Sequence, residues 1–105
     1  MKKGLLIKES GVLQVFDYTG LESLQEAVGG NIEVVSHKNF SLFVNEEGKL
    51  LDLPPNEIAT EIVKDSLAFY DFIAGDAVLL GGVDDEGETL GLSDEEIVGI
   101  INAAC

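Results

Sequence analysis

Two adjacent prolines near the middle of the chain restrict the backbone more than any other feature of the sequence. Pro54 and Pro55 each fix their φ angle and lack an amide donor, so neither a helix interior nor a central strand can contain them. Asn56 follows directly, and asparagine is among the residues that cap helix N-termini best. The sequence therefore predicts an extended segment up to Pro55 and a helix that begins after Asn56 and ends near Phe69.

Two further helices are predicted from capping boxes, in which a hydroxyl and a carboxylate three residues apart satisfy the backbone at a helix start. Thr19 with Glu22 marks the first of these helices, and Ser93 with Glu96 marks the last helix of the chain. Gly29 is expected to end the first helix, because glycine adopts the left-handed conformation that closes many helices. Apolar residues at helical spacing follow both capping boxes, so both helices should bury one face.

Apolar segments between the helices have the lengths and patterns of β-strands. Residues 77–80 are a continuous apolar run typical of an interior strand, and residues 40–45 are partly apolar on both faces, which also favours an interior position. The strands are expected at residues 4–8, 12–18, 31–37, 40–45 and 77–80, with a short return at 49–51. The order ββα-ββα-β(β)α predicts one compact α+β domain over residues 1–105, with a largely antiparallel sheet and about three helices.

The charge of the chain argues against several classes of function. Twenty acidic residues face six lysines and no arginine, which gives a net charge of −14. Such a surface repels nucleic acid phosphates and anionic membranes, and the lack of arginine removes the usual bidentate grip on phosphate. The apolar run after the N-terminal lysines is too short for a signal peptide or a membrane span. We expect a cytoplasmic protein that binds neither nucleic acid nor membrane.

No pattern in the sequence predicts catalysis, a metal or a cofactor. His37 is the one histidine and is expected in an exposed turn, while Cys105 is the last residue, so no nucleophile stands beside a base. A calcium loop with Gly87 at its sixth position would begin at Gly82 and end at Ser93, neither of which supplies the required ligand. We therefore expect a non-enzymatic protein without metal or cofactor.

The stretch before the second helix holds the best candidates for a binding site. Asn45, Glu46, Lys49 and Asn56 offer hydrogen-bonding and charged groups beside stiff prolines, and Lys49 is a rare cation in an acidic region. Architecture is the competing explanation: Asn45 and Gly48 would form a turn, with Gly48 at a positive φ, and Asn56 would cap the helix. Both interpretations stay open at this point.

A second candidate surface is the acidic run Asp84, Asp85, Glu86 and Glu88, which is expected to form a polar hairpin loop or a flexible tip. A run of like charges either steers a basic partner to the surface or only keeps the protein soluble. The sequence does not choose between these two roles.

The ordered set NEEGK at residues 45–49, LPPN at 53–56 and GDAV at 75–78 resembles a family of short, uncharacterised phage, prophage and plasmid proteins that form a domain of unknown function. The resemblance covers most of the chain. It implies an origin in a mobile genetic element, and therefore the cytoplasm of a host cell, but it supplies no catalytic residues.

Three functions are compatible with these observations. We expect an accessory binding protein that acts as an acidic inhibitor of a basic host protein, since opposite charge steers association. One alternative is a DNA mimic, which needs carboxylates spaced like phosphates on an elongated face. The other is a protein that binds or sequesters a small ligand such as a signalling nucleotide. The partly apolar sheet edges also favour a homodimer.

Overall fold

The computed structural model describes residues 2–68 and 71–104. The strands are β1 (Lys2–Ile7), β2 (Leu13–Tyr18), β3 (Ile32–His37), β4 (Phe40–Asn45) and β5 (Ala77–Gly81). The helices are α1 (Leu21–Val28), α2 (Glu57–Val63) and α3 (Asp94–Ala104). All the strands belong to one antiparallel sheet with the order β2-β1-β5-β4-β3. The predicted α+β class and antiparallel sheet are therefore confirmed.

Two hairpins flank the middle strand of the sheet. β1 pairs with β2, and β3 pairs with β4 across a two-residue turn in which Lys38 has a φ of 54°. β5 lies between the hairpins, bonded to β1 on one side and β4 on the other, and all of its residues are buried. The interior positions predicted for residues 77–80 and 40–45 are thus correct, because a strand covered on both faces is largely apolar.

Helices cover both faces of the sheet. On one face α2 and α3 bury Ala59, Val63 and Ile97 against strand residues. The strand residues of this larger cluster are Leu5, Ile7, Leu42, Val44, Ala77 and Leu79. On the opposite face α1 inserts Leu24 into a smaller cluster made with Phe43, Val78 and Leu80. The core is therefore two apolar layers separated by the sheet.

The first helix begins differently from the prediction. Gly20 is the N-terminal cap, with a φ of 123° and no side-chain cap, so the Thr19–Glu22 capping box is wrong. Ser23 supplies the local hydrogen bonds instead: its Oγ accepts from the Thr19 amide at 3.2 Å and donates to the Gly20 carbonyl at 2.6 Å. Glycine takes this backbone conformation readily, which moves the helix start one residue further along. Gly29 ends the helix with a φ of 80°, as predicted.

The second helix is shorter than the sequence indicated. It begins after the Asn56 cap as predicted, but it ends at Val63 and continues only as a 3₁₀ turn, Lys64–Ser66. The backbone is extended at Leu67, so the prediction of a helix up to Phe69 is wrong; Phe69 itself lies outside the described residues. An apolar stripe cannot show where tertiary contacts stop a helix.

One of those contacts involves His37. The predicted exposed turn is wrong for this residue, which is the last residue of β3 and only 7% exposed. Its Nδ1 lies 2.5 Å from the Ser66 Oγ, a hydrogen-bonding contact between the 3₁₀ turn and the end of β3. The imidazole therefore serves as a buried contact between a helix end and the sheet.

The short strand predicted at residues 49–51 is wrong as well. The chain forms consecutive turns there: the Leu51 amide donates to the Glu47 carbonyl at 2.9 Å, and the Leu53 amide donates to the Gly48 carbonyl at 2.9 Å. Asp52 has a φ of 54° within these turns. A turn that bonds to itself satisfies its backbone without a neighbouring strand.

The start of the third helix agrees with the prediction. The Ser93 amide donates to Glu96 Oε1 at 2.9 Å, and the Glu96 amide donates to Ser93 Oγ at 3.0 Å, which completes the capping box. Leu92 and Ile97 on either side of the cap are both buried in the larger cluster. Ser93 and Glu96 each satisfy the amide of the other, so the start of α3 can be recognised from four consecutive residues.

Candidate functional site

Asn56 is an anchor in the core. Its side chain is 1% exposed, and its Oδ1 accepts a hydrogen bond from the Ala59 amide at 3.0 Å, as a helix cap does. Its Nδ2 donates to the carbonyls of Ile7 at 2.8 Å and Gly75 at 2.9 Å. Both amide protons are used in this way, so the side chain connects α2 to the end of β1 and to the segment before β5.

Asn45 is buried in the same manner at the end of β4. Its Nδ2 donates to the Val28 carbonyl at 3.1 Å, and its Oδ1 accepts from the Glu47 amide at 2.8 Å. The side chain thus joins the C-terminus of α1 to the turn that follows β4. This is the turn role that the sequence offered as an alternative to ligand binding.

Gly48 belongs to that turn for a different reason from the predicted one. Its φ is not positive; the positive-φ glycines lie elsewhere in the chain. A Cβ at this position would lie 3.0 Å from the Ala74 carbonyl oxygen and 3.4 Å from that of Asn45. Glycine is needed here because two backbone segments approach closely.

These turns form one wall of a small cleft, which we call the central cleft. Its volume is about 140 Å³, and it lies between the edge strand β3, the turn after β4 and the segment that leads to β5. The residues that line it are Glu33, Val35, Val44, Asn45, Glu46, Gly48, Lys49, Leu50, Leu67, Asp71, Phe72, Ile73 and Ala74. Three of the four residues selected from the sequence, Asn45, Glu46 and Lys49, therefore lie together, and Asn56 does not join them.

Lys49 is paired within the cleft. Its ammonium group forms an ion pair with Asp71 and lies 4.9 Å from the centre of the Phe72 ring, within cation–π distance. The hydrogen bond from Lys49 and a second one from the Phe72 amide, at 2.8 Å, lower the pKa of the Asp71 carboxyl. The rare cation that the sequence singled out is thus already neutralised by its neighbour.

The central cleft keeps a negative charge after this pairing. Glu33 and Glu46 also line it and are exposed, so three carboxylates face one ammonium group. Leu50 is 83% exposed and Phe72 is 39% exposed beside them. Exposed apolar groups next to unneutralised carboxylates suit a cation carried on an apolar stem, whereas a phosphate would meet net repulsion.

The acidic run forms a separate surface. The bridge between Val83 and Thr89 closes a hairpin loop, which confirms the predicted hairpin. Asp84 orders its tip, since its Oδ1 accepts hydrogen bonds from the amides of Glu86 at 2.8 Å and Glu88 at 3.0 Å. The four acidic residues of the run, Asp84, Asp85, Glu86 and Glu88, are all exposed, and none lines the central cleft.

Within residues 2–68 and 71–104, no group of three histidine, cysteine, aspartate or glutamate side chains is arranged to hold a metal ion. In the same part of the chain, each helix is too short or too polar to cross a lipid bilayer. The buried side-chain nitrogen and oxygen atoms described there all have hydrogen-bond partners. The polar groups of the core are thus accounted for by the fold itself.

The residues of the cleft that the sequence did not indicate include Glu33, Leu50, Asp71 and Phe72. Leu50 was expected in the short strand at residues 49–51, and its exposure follows from the turns that the chain forms there instead. Glu33 lies in the strand predicted at residues 31–37, and the sequence does not show which turn lies beside that strand; Asp71 and Phe72 lie in an irregular segment. Asp71 and Phe72 lie beside Lys49 because the segment that leads to β5 passes next to the turn that contains Lys49.

The fold and the cleft define a class: a small α+β domain, with helices on both faces of an antiparallel sheet and an acidic cleft at one edge strand. More specifically, the chain belongs to the family described as Domain of unknown function (DUF3846), whose family model matches residues 1–103. Comparisons with curated proteins and with solved structures gave no match. The expected membership in a family of unknown function is therefore confirmed.

Proposed function

We propose that this protein is a non-enzymatic accessory binding protein of phage, prophage or plasmid origin, which acts in the cytoplasm of the host cell as an inhibitor of a basic protein. The central cleft receives a lysine or arginine side chain of that partner. One observation carries the proposal: Asp71 already neutralises Lys49, so Glu33 and Glu46 remain to attract a cation.

The dimensions of the cleft support a side chain as the guest. Pockets for small molecules usually enclose about 300–1,000 Å³, whereas the central cleft encloses about 140 Å³. Leu50 and Phe72 would cover the aliphatic part of the guest, and the carboxylates would face its charged end. A signalling nucleotide is larger, and its phosphates would meet the excess of carboxylates.

The charge of the whole molecule supports the same kind of partner. Four of the twenty acidic residues form ion pairs with described lysines, namely Glu61, Asp71, Glu88 and Asp94. The remaining field steers basic surfaces toward the protein and weakens as salt is added. The ordered acidic loop at residues 84–88 contributes to this steering, so we assign it a long-range role and the cleft the specific contact.

The test compares two charge-matched double variants in affinity capture from a bacterial lysate, with identification of bound proteins by mass spectrometry. Glu33→Gln with Glu46→Gln removes two charges from the cleft. Glu22→Gln with Glu26→Gln removes two exposed charges from α1, away from the cleft. We expect the cleft variant to retain about tenfold less of a basic protein, and the α1 variant to lose only the small steering contribution.

Capture should weaken at high salt for the wild-type protein. Equal losses for the two double variants would contradict a specific role of the cleft. Lys49→Met separates the proposal from the small-ligand alternative: the cleft becomes more negative and binding of a basic protein is kept, whereas binding of a nucleotide would be lost.

A DNA mimic remains the second candidate and predicts another outcome. Its captured proteins would bind DNA, and duplex DNA would release them in competition. The fold measures 33 × 29 × 23 Å, which favours a local contact over an elongated imitation of a duplex.

A further inference from the structure

The outer edge of β2 has unused backbone hydrogen-bonding groups. β2 ends the sheet and pairs only with β1 among the described strands. Hydrogen-bonded pairs alternate along an antiparallel ladder, and the Lys8 amide donates to the Val12 carbonyl at 2.9 Å at the turn end of this hairpin. Counting from that pair, Leu13, Val15 and Asp17 direct their amides and carbonyls away from β1, and no described residue bonds to them.

This edge lacks the features that usually prevent pairing with another chain. The register between β1 and β2 is unbroken, so no bulge bends the strand away. β2 contains neither proline nor lysine, the residues that most often protect an edge. Val15 is 55% exposed at its middle. The edge is therefore a regular, partly apolar template for one more strand.

The distribution of charge along the chain indicates which molecule supplies the additional strand beside β2. Residues 1–20 contain three lysines and two acidic residues, whereas residues 21–105 contain three lysines and eighteen acidic residues. Lys3 lies opposite Asp17 in the register of the hairpin, and its ammonium group lies 3.8 Å from Asp94. The one carboxylate of β2 therefore has a lysine as its cross-strand neighbour. A second copy of this acidic chain would meet the least repulsion here, because its own first hairpin is equally close to neutral.

We infer that two copies of the protein join through their β2 strands, antiparallel and about a two-fold axis at Val15. In this register Val15 faces Val15 of the partner subunit, and Leu13 faces Asp17 of the partner subunit. Each outward residue then both donates and accepts a hydrogen bond, and no carboxylate faces another carboxylate. The two five-stranded sheets become one continuous sheet with β3 at both ends. This interface extends beyond the proposed function, since it uses the edge opposite the cleft.

The test uses two matched proline variants. Val15→Pro removes an outward amide from β2. Val34→Pro does the same on β3, where Val34 is 51% exposed and its amide also points outward, because the Glu46 amide donates to the Asn31 carbonyl at 2.8 Å. Proline is tolerated on an edge strand when its nitrogen faces solvent, so both variants should fold, as circular dichroism would show.

Sedimentation velocity over a range of concentrations measures the association. The apparent mass of the wild-type protein should rise from 11.2 kDa to twice that value as its concentration rises. Added salt should make this association tighter, because salt screens repulsion between two acidic copies. We expect Val15→Pro to raise the dissociation constant at least about tenfold, since it removes two hydrogen bonds per dimer and the facing valines. Val34→Pro should leave it unchanged.

Hydrogen exchange provides a second readout that needs no variant. The amides of Leu13, Val15 and Asp17 should exchange more slowly as the concentration of the wild-type protein rises, and those of Ile32, Val34 and Ser36 should not. The inference is overturned if the wild-type protein stays monomeric, if the dimer survives Val15→Pro, or if Val34→Pro weakens it equally.

Discussion

The side chain of Asn56 is hydrogen-bonded to the carbonyl of Ile7, with 2.8 Å between Nδ2 and the oxygen, although 49 positions separate the two residues in sequence. The same side chain caps α2. One residue therefore starts a helix and fixes where that helix stands relative to the first strand. A capping signal predicts the first role, but only the folded chain shows the second.

Asn56→Ala should lower the free energy of unfolding by about 3 kcal/mol, because it removes a helix cap and two buried hydrogen bonds to the carbonyls of Ile7 and Gly75. Asn56→Ser keeps an oxygen for the cap and loses only the amide donors, so it should cost about 2 kcal/mol. Urea denaturation measures both values. Ser93→Ala, which removes an exposed cap on α3, should cost about 1 kcal/mol. A Ser variant as stable as the wild-type protein would contradict the structural role of the bond to Ile7.

Two glycines should respond to alanine in opposite directions. A Cβ on Gly4 would lie 2.5 Å from Leu80 Cδ2 and 2.7 Å from the Leu79 carbonyl oxygen, whereas a Cβ on Gly99 in α3 would meet nothing within 4 Å. We expect Gly4→Ala to destabilise the protein by about 2 kcal/mol, and Gly99→Ala to stabilise it by roughly 0.5–1 kcal/mol. Thermal unfolding of both variants checks the signs, and a stabilising Gly4→Ala would show that β1 and β5 are less closely packed than described.

The ion pair between Lys49 and Asp71 should make the free energy of unfolding depend on pH in the acidic range. The pKa of Asp71 is lowered from its ordinary value of 3.8, so the pair stabilises the fold fully above that value, and the contribution is lost as pH falls through the lowered pKa. Since the side chain of Lys49 is 52% exposed and that of Asp71 is 34% exposed, solvent screens the pair, and Lys49→Met should cost only about 0.5 kcal/mol at pH 7. The difference between the variant and the wild-type protein should vanish below the pKa of Asp71.

The carboxyl carbon of Asp71, followed by NMR through an acid titration, gives the direct measurement. Its midpoint should lie below 3.8 in the wild-type protein and rise in Lys49→Met. An unchanged midpoint would mean that Lys49 does not hold Asp71 in solution, and the Lys49 ammonium group would then be available to an anionic ligand.

Substitutions at two leucines should distinguish an effect on stability from an effect on binding. Leu79 in β5 is fully buried, so Leu79→Ala should lower the free energy of unfolding by about 3 kcal/mol through the cavity it leaves. Leu50 is 83% exposed beside the cleft, so Leu50→Ala should change stability by less than about 0.5 kcal/mol. Under the proposed function, Leu50→Ala weakens capture of a basic partner several-fold. Unchanged capture would remove Leu50 from the contact surface.

The predictions that held were those whose physical cause is local. The capping box of Ser93 and Glu96, the cap at Asn56 and the continuous apolar run of β5 each follow from a few neighbouring residues. Other predictions failed for two different reasons. Gly20 and not Thr19 caps α1, because a neighbouring glycine and the Ser23 hydroxyl satisfy the helix start locally. The helix after Asn56 ends at Val63, before the end of its apolar stripe.

The candidate site was predicted in part for the same reason. The sequence indicated Asn45, Glu46 and Lys49, which lie within five positions and necessarily share a turn. It could not assign Glu33 or Asp71 to them, because those residues come from an edge strand and from an irregular segment. It also could not reveal that the Asp71 carboxylate lies beside Lys49 and offsets its charge, which changes the kind of ligand that the cleft suits.

The sequence by itself determined the α+β class, the strand and helix order and the acidic surface, because hydrophobic period, capping chemistry and net charge are properties of short segments or of composition. The tertiary structure alone decided which strands form the edges, what each buried asparagine holds, and that Asp71 meets Lys49. These outcomes depend on contacts between residues far apart in the chain, and the free energy of such contacts is set by the assembled fold rather than by any segment of it.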